Sequence, residues 1–419
     1  MLALYQLVQR NWKTFRPVEA PKKQNAIRVG LIGASNIAPI AVINPAKSHP
    51  EVIVAAVAAR DEAKARKYAQ SHGIPIVHAS YQALLDDPAI DAVYIALPNA
   101  LHYEWSMKAL QAKKHVLLEK PSTSNADEAR SLFRNPMVGQ ASATGNPLVL
   151  LEAVHIRFHP AWQKFLSLID TPDVQDAVSK LHLPKFFFPG DDIRFQYKMS
   201  GGCLMDLGYY NVQMSRQAFK AEPVECATVE ARRMPAGLDQ DIDQATSVTW
   251  KFLNGGTARI VSDLASVGYD CLPWLTSAIP AIKVPVCSVR HKEKIVPHPT
   301  QQGLEVSTTK AVIMWNPLGP SVWHRIDVIE DHVERHVGKK RIEKHWTERS
   351  YFKQYEGFSG DASWTTYRHQ LEQFVNKIRG REGSGIWIDG EDSIKQMEMI
   401  DSAYRKAGMP VRPSSTSTI

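Results

Sequence analysis

A lysine and a tyrosine from different parts of the sequence have the side chains needed to move a proton at a hydroxyl. Lys120 follows the apolar run 116–118, and Tyr210 lies four residues after Asp206 in a segment that begins with two glycines. Residues four apart share one side of a helix, so Asp206 and Tyr210 are expected together. A free phenol has a pKa of about 10, which a nearby ammonium lowers. Lys120 is a candidate for that ammonium, or for a direct contact with the reacting oxygen, and Tyr210 is a candidate for the group that moves the proton.

Both candidates also have a purely structural interpretation. Glu119 and Lys120 are adjacent at a buried strand end, where charges are costly unless they are paired or used. They are therefore compatible with an ion pair that ties down the strand. Tyr210 is compatible with a core aromatic residue whose hydroxyl reaches a backbone carbonyl. The residues alone leave these alternatives open.

The turn after the first apolar strand is suited to binding a pyrophosphate. In the segment VGLIGASNIA (29–38), a strand enters a small-residue turn and then a helix with Pro39 in its first turn. Close approach of backbone amides and the positive end of the helix dipole would hold phosphate oxygens. The residues predicted to do so are Gly33, Ala34, Ser35, Asn36 and Ile37. Ser35 replaces the second glycine of the G-x-G-x-x-G/A pattern, and its hydroxyl adds a donor.

The end of the second strand indicates which dinucleotide binds. A site selective for NAD usually has a carboxylate there, which holds the ribose 2′-hydroxyl. This chain has Arg60, followed by Asp61. A guanidinium pairs bidentately with a phosphate, so Arg60 predicts NADP rather than NAD. The alternative is a solvated arginine at a helix start, a place where the helix dipole opposes a cation.

A repeated pattern of strand, turn and helix positions these residues. Strands are predicted at 27–32, 52–58, 93–97 and 115–118, with helices from near Asp61, at 101–112 and at 126–133. Asn125 and Glu128 have the spacing of a capping box at the start of the last helix. This alternation predicts a parallel sheet with crossover helices, whose ligands bind at the carboxyl ends of the strands. The residues expected at that edge are Pro98, Asn99, Glu119 and Lys120.

The pattern changes after the loop 139–147 and the apolar strand 148–151. Strand-rich stretches at 258–261, 281–289 and 310–315 predict a mixed or antiparallel sheet, and helices are predicted at 364–378 and 392–407. The fold class is therefore α/β, with an N-terminal Rossmann domain and a C-terminal α+β domain that contains a large, mostly antiparallel sheet. The predicted boundaries are 26–147 for the first domain and 148–410 for the second, with an N-terminal extension at 1–25 and a tail at 411–419.

Composition excludes several other classes of protein. The 419 residues, 44% hydrophobic and 22% charged, suit two packed cores, and no apolar run approaches the roughly 20 residues of a membrane span. Neither a membrane span nor a signal peptide is expected. Four scattered cysteines predict no disulfide framework and a reducing, cytoplasmic setting. The net charge of +7 is spread along the chain and has no interleaved stacking aromatics, so nucleic acid is not an expected partner.

A metal site is not expected either. His332 and His336 are four residues apart and imitate half of a zinc site. No third ligand is evident near them in the sequence, and the glutamate between them is misplaced for the H-E-x-x-H pattern. The sequence therefore predicts no metal ligands.

Six motifs together resemble the Gfo/Idh/MocA oxidoreductases over about residues 26–210. They are VGLIGASNIA (29–38), AVAARD (56–61), PNALH (98–102), LLEKPS (117–122), LLEAVHIRFHPAW (150–162) and GGCLMDLGYY (201–210). Within that family they are most similar to the dihydrodiol and xylose dehydrogenase group. The combination of EKP with a distant D-x-G-x-Y is more specific than the glycine turn. The segment 265–354 has no such resemblance.

The resemblance implies hydride transfer between NADP and a secondary or hemiacetal hydroxyl of a sugar, polyol or cyclic diol, with NAD as the less favoured cofactor. It places Lys120 near the nicotinamide and the substrate hydroxyl, makes Tyr210 the acid/base residue and gives Asp206 a positioning role. Asn99 and His102 would border the cofactor, and Arg157 would line the nicotinamide side. It also implies a homodimer formed through the C-terminal sheet. The alternatives are a tailoring oxidoreductase of a natural-product pathway and an NADP-binding transcriptional regulator without catalysis.

Overall fold

A parallel six-stranded sheet forms the first half of the chain in a computed structural model that describes residues 2–143, 145–268, 279–339, 342–357 and 360–415. Its spatial order is β3-β2-β1-β4-β5-β6. The strands are β1 (Ile27–Ile32), β2 (Val52–Ala58), β3 (Ile76–His78), β4 (Ala92–Ile95), β5 (His115–Leu118) and β6 (Leu150–Glu152). All residues of β4 and β5 are buried, as expected when helices cover both faces of a parallel sheet. The result is the strand order of a dinucleotide-binding Rossmann sheet.

Helices connect these strands and precede them. They are α1 (Leu2–Phe15), a π-helical turn (Pro39–Ile43) that continues into α2 (Asn44–Lys47), α3 (Glu62–His72), α4 (Tyr81–Asp86), α5 (His102–Gln111) and α6 (Ala126–Phe133). The Asn125 side chain accepts the Glu128 N–H at 3.0 Å and so caps α6 as predicted. The Glu128 carboxylate reaches the Ser124 N–H at 2.9 Å, one residue earlier than in a standard capping box.

The sequence located most of this half accurately. Strands 27–32, 52–58 and 115–118 and helix 126–133 are confirmed residue for residue. Strand β3 and helix α4 were not predicted. The sixth strand, β6, belongs to the first sheet although it lies beyond residue 147, where the predicted boundary falls.

The second half is built on a nine-stranded sheet of mixed direction. Its order is β15-β14-β13-β11-β7-β10-β9-β8, and β12 pairs with β13. The strands are β7 (Val174–Pro184), β8 (Glu225–Arg233), β9 (Asp243–Lys251), β10 (Thr257–Ser266), β11 (Val286–His291), β12 (Lys294–Pro297), β13 (Leu304–Trp315), β14 (Arg325–His336) and β15 (Ile342–Phe352). Among the described strands of this sheet, only β7 and β10 pair in parallel, so the predicted mostly antiparallel character is confirmed. The segment 265–354, which showed no family resemblance in its sequence, therefore contributes β11 to β15. Residues 269–278 lie outside the described residues.

Helices of the second half cover one face of this sheet. They are α7 (Pro160–Ser167), which contacts β13, α8 (Tyr209–Phe219), which packs on β7 and β10, and α10 (Gly390–Lys406), which contacts β8. Helix α9 (Thr366–Ile378) packs instead on α2 and the π-helical turn of the first half. Strand β10, beneath α8, alternates accordingly: Ala258 and Ile260 are fully buried, whereas the intervening Arg259 is exposed. The two predicted C-terminal helices are α9 and α10. None of the helices in the described ranges combines the length and apolarity needed to cross a bilayer.

The C-terminal residues join the two halves. Arg412 forms a fully buried ion pair with Asp243 at 2.7 Å, and its carbonyl accepts the Asn125 side-chain amide at 2.9 Å. Ser414 continues this contact through its hydroxyl, at 2.9 Å from the same amide. The predicted tail, 411–419, is therefore packed as far as Ser415, and residues 416–419 lie outside the described residues.

Candidate active site

The carboxyl ends of adjacent strands bring the predicted cofactor residues into one row. The Gly33 N–H donates to the Ala58 carbonyl at 2.9 Å, and the Glu119 N–H donates to the Ile95 carbonyl at 3.0 Å. These bonds fix the ends of β1 and β2, and of β4 and β5, side by side. The residues that follow one another along this edge are Arg60, Gly33, Asn99 and Lys120.

The turn at Gly33 has no room for a side chain. Gly33 has a φ of +107°, and an added Cβ would lie 3.0 Å from the Ala96 carbonyl oxygen. Only glycine adopts this conformation without strain. Asn36 is exposed, whereas the Ser35 hydroxyl accepts the Ala38 N–H at 3.3 Å and so caps the following helix. The backbone geometry fits the pyrophosphate of a dinucleotide.

Arg60 lies beyond the end of β2 with its side chain exposed. No ion pair involves it within the described part of the chain. The neighbouring Asp61 carboxylate does not pair with it, because this carboxylate accepts the Lys64 N–H at 3.1 Å and caps α3. The edge of the sheet therefore carries an uncompensated guanidinium next to the glycine turn, as binding of a 2′-phosphate requires.

A charged centre lies at the end of β5. Lys120 Nζ is 2.5 Å from Asp206 Oδ1 and 4.7 Å from the centre of the Tyr210 ring. Arg194 Nε donates to the other Asp206 oxygen at 2.7 Å. Burial alone would raise the pKa of Asp206, but the charges of Lys120 and Arg194 hold it well below its usual range. Asp206 is therefore an anion that fixes Lys120 beside the Tyr210 ring.

Glu119 does not pair with the Lys120 ammonium. Its carboxylate accepts the Tyr94 hydroxyl at 2.6 Å, and burial raises the pKa of Glu119. The interpretation of these two residues as an ion pair within the strand end is therefore wrong. Lys120 points across to the second half of the chain instead.

The Tyr210 hydroxyl is bound to a histidine that the sequence did not single out. His155 Nε2 lies 3.0 Å from the Tyr210 hydroxyl, and His155 Nδ1 lies 2.7 Å from Thr366 Oγ1. This contact replaces the backbone carbonyl of the core-aromatic interpretation. Burial raises the pKa of Tyr210 well above its usual value. The predicted lowering by Lys120 is wrong because the ammonium faces the ring and is neutralised by Asp206.

Two residues assigned to the cofactor by resemblance have other contacts. Arg157 binds Asp392 and the Trp387 carbonyl, the latter at 3.4 Å, within a pocket that contains neither Lys120 nor Tyr210. His102 is buried and its ring nitrogens lie 2.7 Å and 2.9 Å from the carbonyls of Pro121 and Leu97. These side chains connect protein segments and do not extend into the Lys120 centre.

Asn99 and the paired glycines position the loop before the π-helical turn (Leu204–Gly208) that carries Asp206. The Asn99 side-chain amide donates to the Ser200 carbonyl at 2.9 Å. An added Cβ at Gly201 would lie 2.5 Å from the Arg194 carbonyl oxygen, and one at Gly202 would lie 2.4 Å from the Asp243 carboxylate. The groups that approach these glycines closely are therefore protein groups, and they hold Arg194 within reach of Asp206.

The histidine pair that imitates a metal site lies elsewhere. His332 and His336 are on β14, where the spacing that joins side chains on a helix separates them along a strand. The carboxylates near His332 come from Glu330 on the same strand and Glu348 on β15, with ligand atoms within 4.8 Å of one another. The sequence offered no sign of Glu348 as a neighbour, because cross-strand register brings it there.

Two family models match the chain. Residues 27–135 match the oxidoreductase family with an NAD-binding Rossmann fold, and residues 180–276 match the GFO/IDH/MocA C-terminal domain. An NADP-dependent D-xylose 1-dehydrogenase 2 of Haloferax volcanii is 37% identical over 237 residues, which cover 56% of this chain and 68% of that protein. The chain belongs to the Gfo/Idh/MocA oxidoreductase family. The family predicted from the six motifs is thus confirmed.

A second enzyme and a crystal structure are also similar to this chain. A trans-1,2-dihydrobenzene-1,2-diol dehydrogenase of Danio rerio is 34% identical over 212 residues, or 50% of this chain and 58% of that protein. The crystal structure of a 3-ketoreductase from Actinomadura kijaniata, in complex with NADP and TDP-benzene, has a TM-score of 0.65 at 22% identity. That match covers 91% of this chain and 98% of the other, and it confirms the predicted fold class.

Proposed function

We propose that the protein transfers a hydride between NADP and a secondary or hemiacetal hydroxyl carbon of a sugar, polyol or cyclic diol. The observation that carries this proposal is the convergence of Lys120, Asp206 and Tyr210 at the sheet edge that also bears Gly33 and Arg60. An ammonium and a phenol beside a dinucleotide cradle are the groups that proton transfer at a carbinol oxygen needs. The Haloferax volcanii relative, named as NADP-dependent, supports the same chemistry.

The residues that would hold NADP lie at the ends of β1 and β2. Backbone amides after Gly33 would bind the pyrophosphate, and the Arg60 guanidinium would bind the 2′-phosphate. Bound there, the nicotinamide supplies the hydride acceptor or donor. Asn99, between the Gly33 turn and Lys120 along the edge, would contact the part of the cofactor that approaches the charged centre.

Tyr210 Oη is the atom proposed to exchange a proton with the substrate oxygen. Because burial raises its pKa, the phenol keeps its proton at neutral pH and can donate it to a carbonyl oxygen. Lys120 would stabilise negative charge that develops on the same oxygen. Asp206 pairs with the ammonium and holds it in position. This arrangement favours carbonyl reduction at neutral pH, and alcohol oxidation at higher pH.

Absorbance of the reduced nicotinamide, followed with a panel of sugars, cyclic diols and their carbonyl forms, tests this function. Tyr210→Phe should lower kcat/KM about 100- to 10,000-fold, the usual contribution of a general acid or base. The Kd for NADP should stay unchanged. Tyr197→Phe is a matched control, because the Tyr197 hydroxyl binds the Val411 carbonyl outside the centre. Wild-type turnover by Tyr210→Phe would refute the assignment of the proton-transfer residue.

The proposal includes a cytoplasmic homodimer with a small-molecule substrate. One face of the second sheet is left uncovered by the helices, with Arg259 and neighbouring side chains exposed, and a second copy could pack on it. Cys203, Cys226 and Cys287 are free thiols, in keeping with a reducing compartment. Sedimentation of the purified protein distinguishes monomer from dimer, and a monomer at micromolar concentration would contradict this part of the proposal.

A further inference from the structure

We infer that His155 and Thr366 are positioning residues that hold the Tyr210 hydroxyl and stabilise its deprotonated form. This inference rests on the proposed function, because it concerns the same phenol. It assigns a role to two buried side chains that lie outside the Lys120–Asp206 pair. His155 belongs to the segment after β6, and Thr366 is the first residue of α9.

The contacts form an unbroken chain of three side chains. Tyr210 Oη lies 3.0 Å from His155 Nε2, and the opposite ring nitrogen lies 2.7 Å from Thr366 Oγ1. The Tyr367 ring stacks on the imidazole with centroids 4.0 Å apart, which fixes the plane of the ring. The Ser321 hydroxyl accepts the Thr366 N–H at 3.1 Å and holds the start of α9. The imidazole therefore has little freedom to turn away from the phenol.

His155 and Thr366 can each donate or accept a hydrogen bond. A neutral imidazole carries one hydrogen, on either nitrogen, and a threonine hydroxyl can serve as donor or as acceptor. When Tyr210 is a phenol, it donates to His155 Nε2, and Nδ1–H donates to Thr366. When Tyr210 is a phenolate, the other tautomer donates from Nε2, and Thr366 donates to Nδ1. The same three residues thus satisfy both states of Tyr210 without adding a charged histidine.

The surroundings keep His155 neutral. Burial lowers the pKa of His155 to about 3, and the nearby Lys120 ammonium acts in the same direction. The other titratable groups around His155 and Tyr210 include Tyr367, whose side chain is also hydrogen-bonded to Tyr210. The remaining groups are Tyr94 and Tyr209, Glu119 and Asp206 on the Lys120 side, and His159. A neutral Nε2–H donor beside a buried phenolate is a charge-assisted hydrogen bond, which is stronger than one between neutral groups. This hydrogen bond from His155 to the phenolate offsets part of the rise that burial causes in the pKa of Tyr210.

The test is the pH dependence of alcohol oxidation by His155→Leu and His155→Gln. Leucine cannot bind the phenol, so kcat/KM at neutral pH should fall about 10- to 100-fold, and its rise with pH should move about one to two units higher. Glutamine can place an amide N–H near the former Nε2, so it should recover most of the activity and reverse most of the shift. A change of pH dependence separates this role from simple loss of packing.

Thr366→Val provides an independent second variant. It should lower kcat/KM roughly two- to tenfold alone, the value of a neutral hydrogen bond, and should have no further effect in the His155→Leu background. Unchanged pH profiles in His155→Leu, or equal effects of Thr366→Val in both backgrounds, would overturn the inference. If those results occur while Tyr210→Phe is inactive, only this inference fails. If Tyr210→Phe keeps wild-type turnover, the proposed function itself fails.

Discussion

Lys120 and Arg60 are two cations at the same edge of the first sheet, but their surroundings are opposite. Lys120 has a side chain that is only 11% exposed, and its ammonium is 2.5 Å from Asp206. Arg60 is exposed and has no carboxylate partner among the described residues. The cation proposed for chemistry is thus held and neutralised before a substrate binds. Arg60, the cation proposed for cofactor binding, is accessible, so a phosphate can displace the water around its guanidinium.

The difference has a physical basis. A group that stabilises charge in a transition state is most effective when it is fixed in a site of low dielectric, where it needs no rearrangement during the reaction. A group that selects a ligand needs access and a geometry that matches the ligand, which a solvated guanidinium provides. Loss of Lys120 should therefore affect turnover, whereas loss of Arg60 should affect affinity. Three substitutions test this contrast.

Lys120→Met should have the largest effect. Removal of the ammonium takes away the charge beside the reacting oxygen, so kcat should fall about 100- to 1,000-fold. Asp206 keeps Arg194 as a partner, so the fold should persist and the Kd for NADP should change little. Steady-state kinetics and fluorescence titration with NADPH measure the two quantities. Lys251→Met, which removes an exposed ion pair with Glu225, is the control. If Lys120→Met bound NADP more weakly but kept its kcat, the contrast between Lys120 and Arg60 would be contradicted.

Arg60→Ala should affect only the choice of cofactor. Loss of one charge-assisted pair to the 2′-phosphate should weaken NADP binding about 10- to 100-fold and leave NAD binding unchanged. Arg66→Ala is a matched control on α3, the helix that follows Arg60, since Arg66 is exposed and pairs with Glu62. Titration calorimetry with both dinucleotides gives the ratio of the Kd for NADP to the Kd for NAD. Equal losses for NADP and NAD would remove Arg60 from the 2′-phosphate site.

Ser35→Gly should have the smallest effect. The Ser35 hydroxyl caps the following helix by accepting the Ala38 N–H, and replacing a capping serine with glycine costs only a few tenths of a kcal/mol. The Kd for NADP should therefore change less than about twofold. A loss of tenfold or more would mean that the hydroxyl binds the pyrophosphate directly. The exposed edge would then contain a second specific contact besides Arg60.

The elements of the first half were predictable because their signals are local. Buried parallel strands read as continuous apolar runs, and turn glycines and caps such as Asn125 mark where helices begin. Since neighbouring strands end at one edge, the sequence also predicted that Gly33, Arg60 and Lys120 share that edge. The proximity of Lys120 and Tyr210 required the family resemblance, because no local pattern relates residues so far apart in the chain.

The contacts that set the properties of the centre were not predictable. His155 and Arg194 lie in short 3₁₀ turns, which leave no periodic signal in the sequence, and their partners Tyr210 and Asp206 lie at other positions in the chain. The expected lowering of the pKa of Tyr210 assumed an ammonium at the hydroxyl, but Asp206 draws Lys120 over the ring face. Arg157 was assigned by resemblance, and its pairing with Asp392 depends on how α10 packs. Each of these features is decided by tertiary packing.

A crystal structure of the protein with NADP⁺ tests the central claim most directly. The account predicts that C4 of the nicotinamide faces Tyr210 Oη and Lys120 Nζ, with space for a single substrate carbon and its oxygen at reacting distances of about 3 to 3.5 Å. The 2′-phosphate should lie against Arg60. A nicotinamide ring directed away from these two side chains, with C4 on the other side of the sheet edge, would contradict the account.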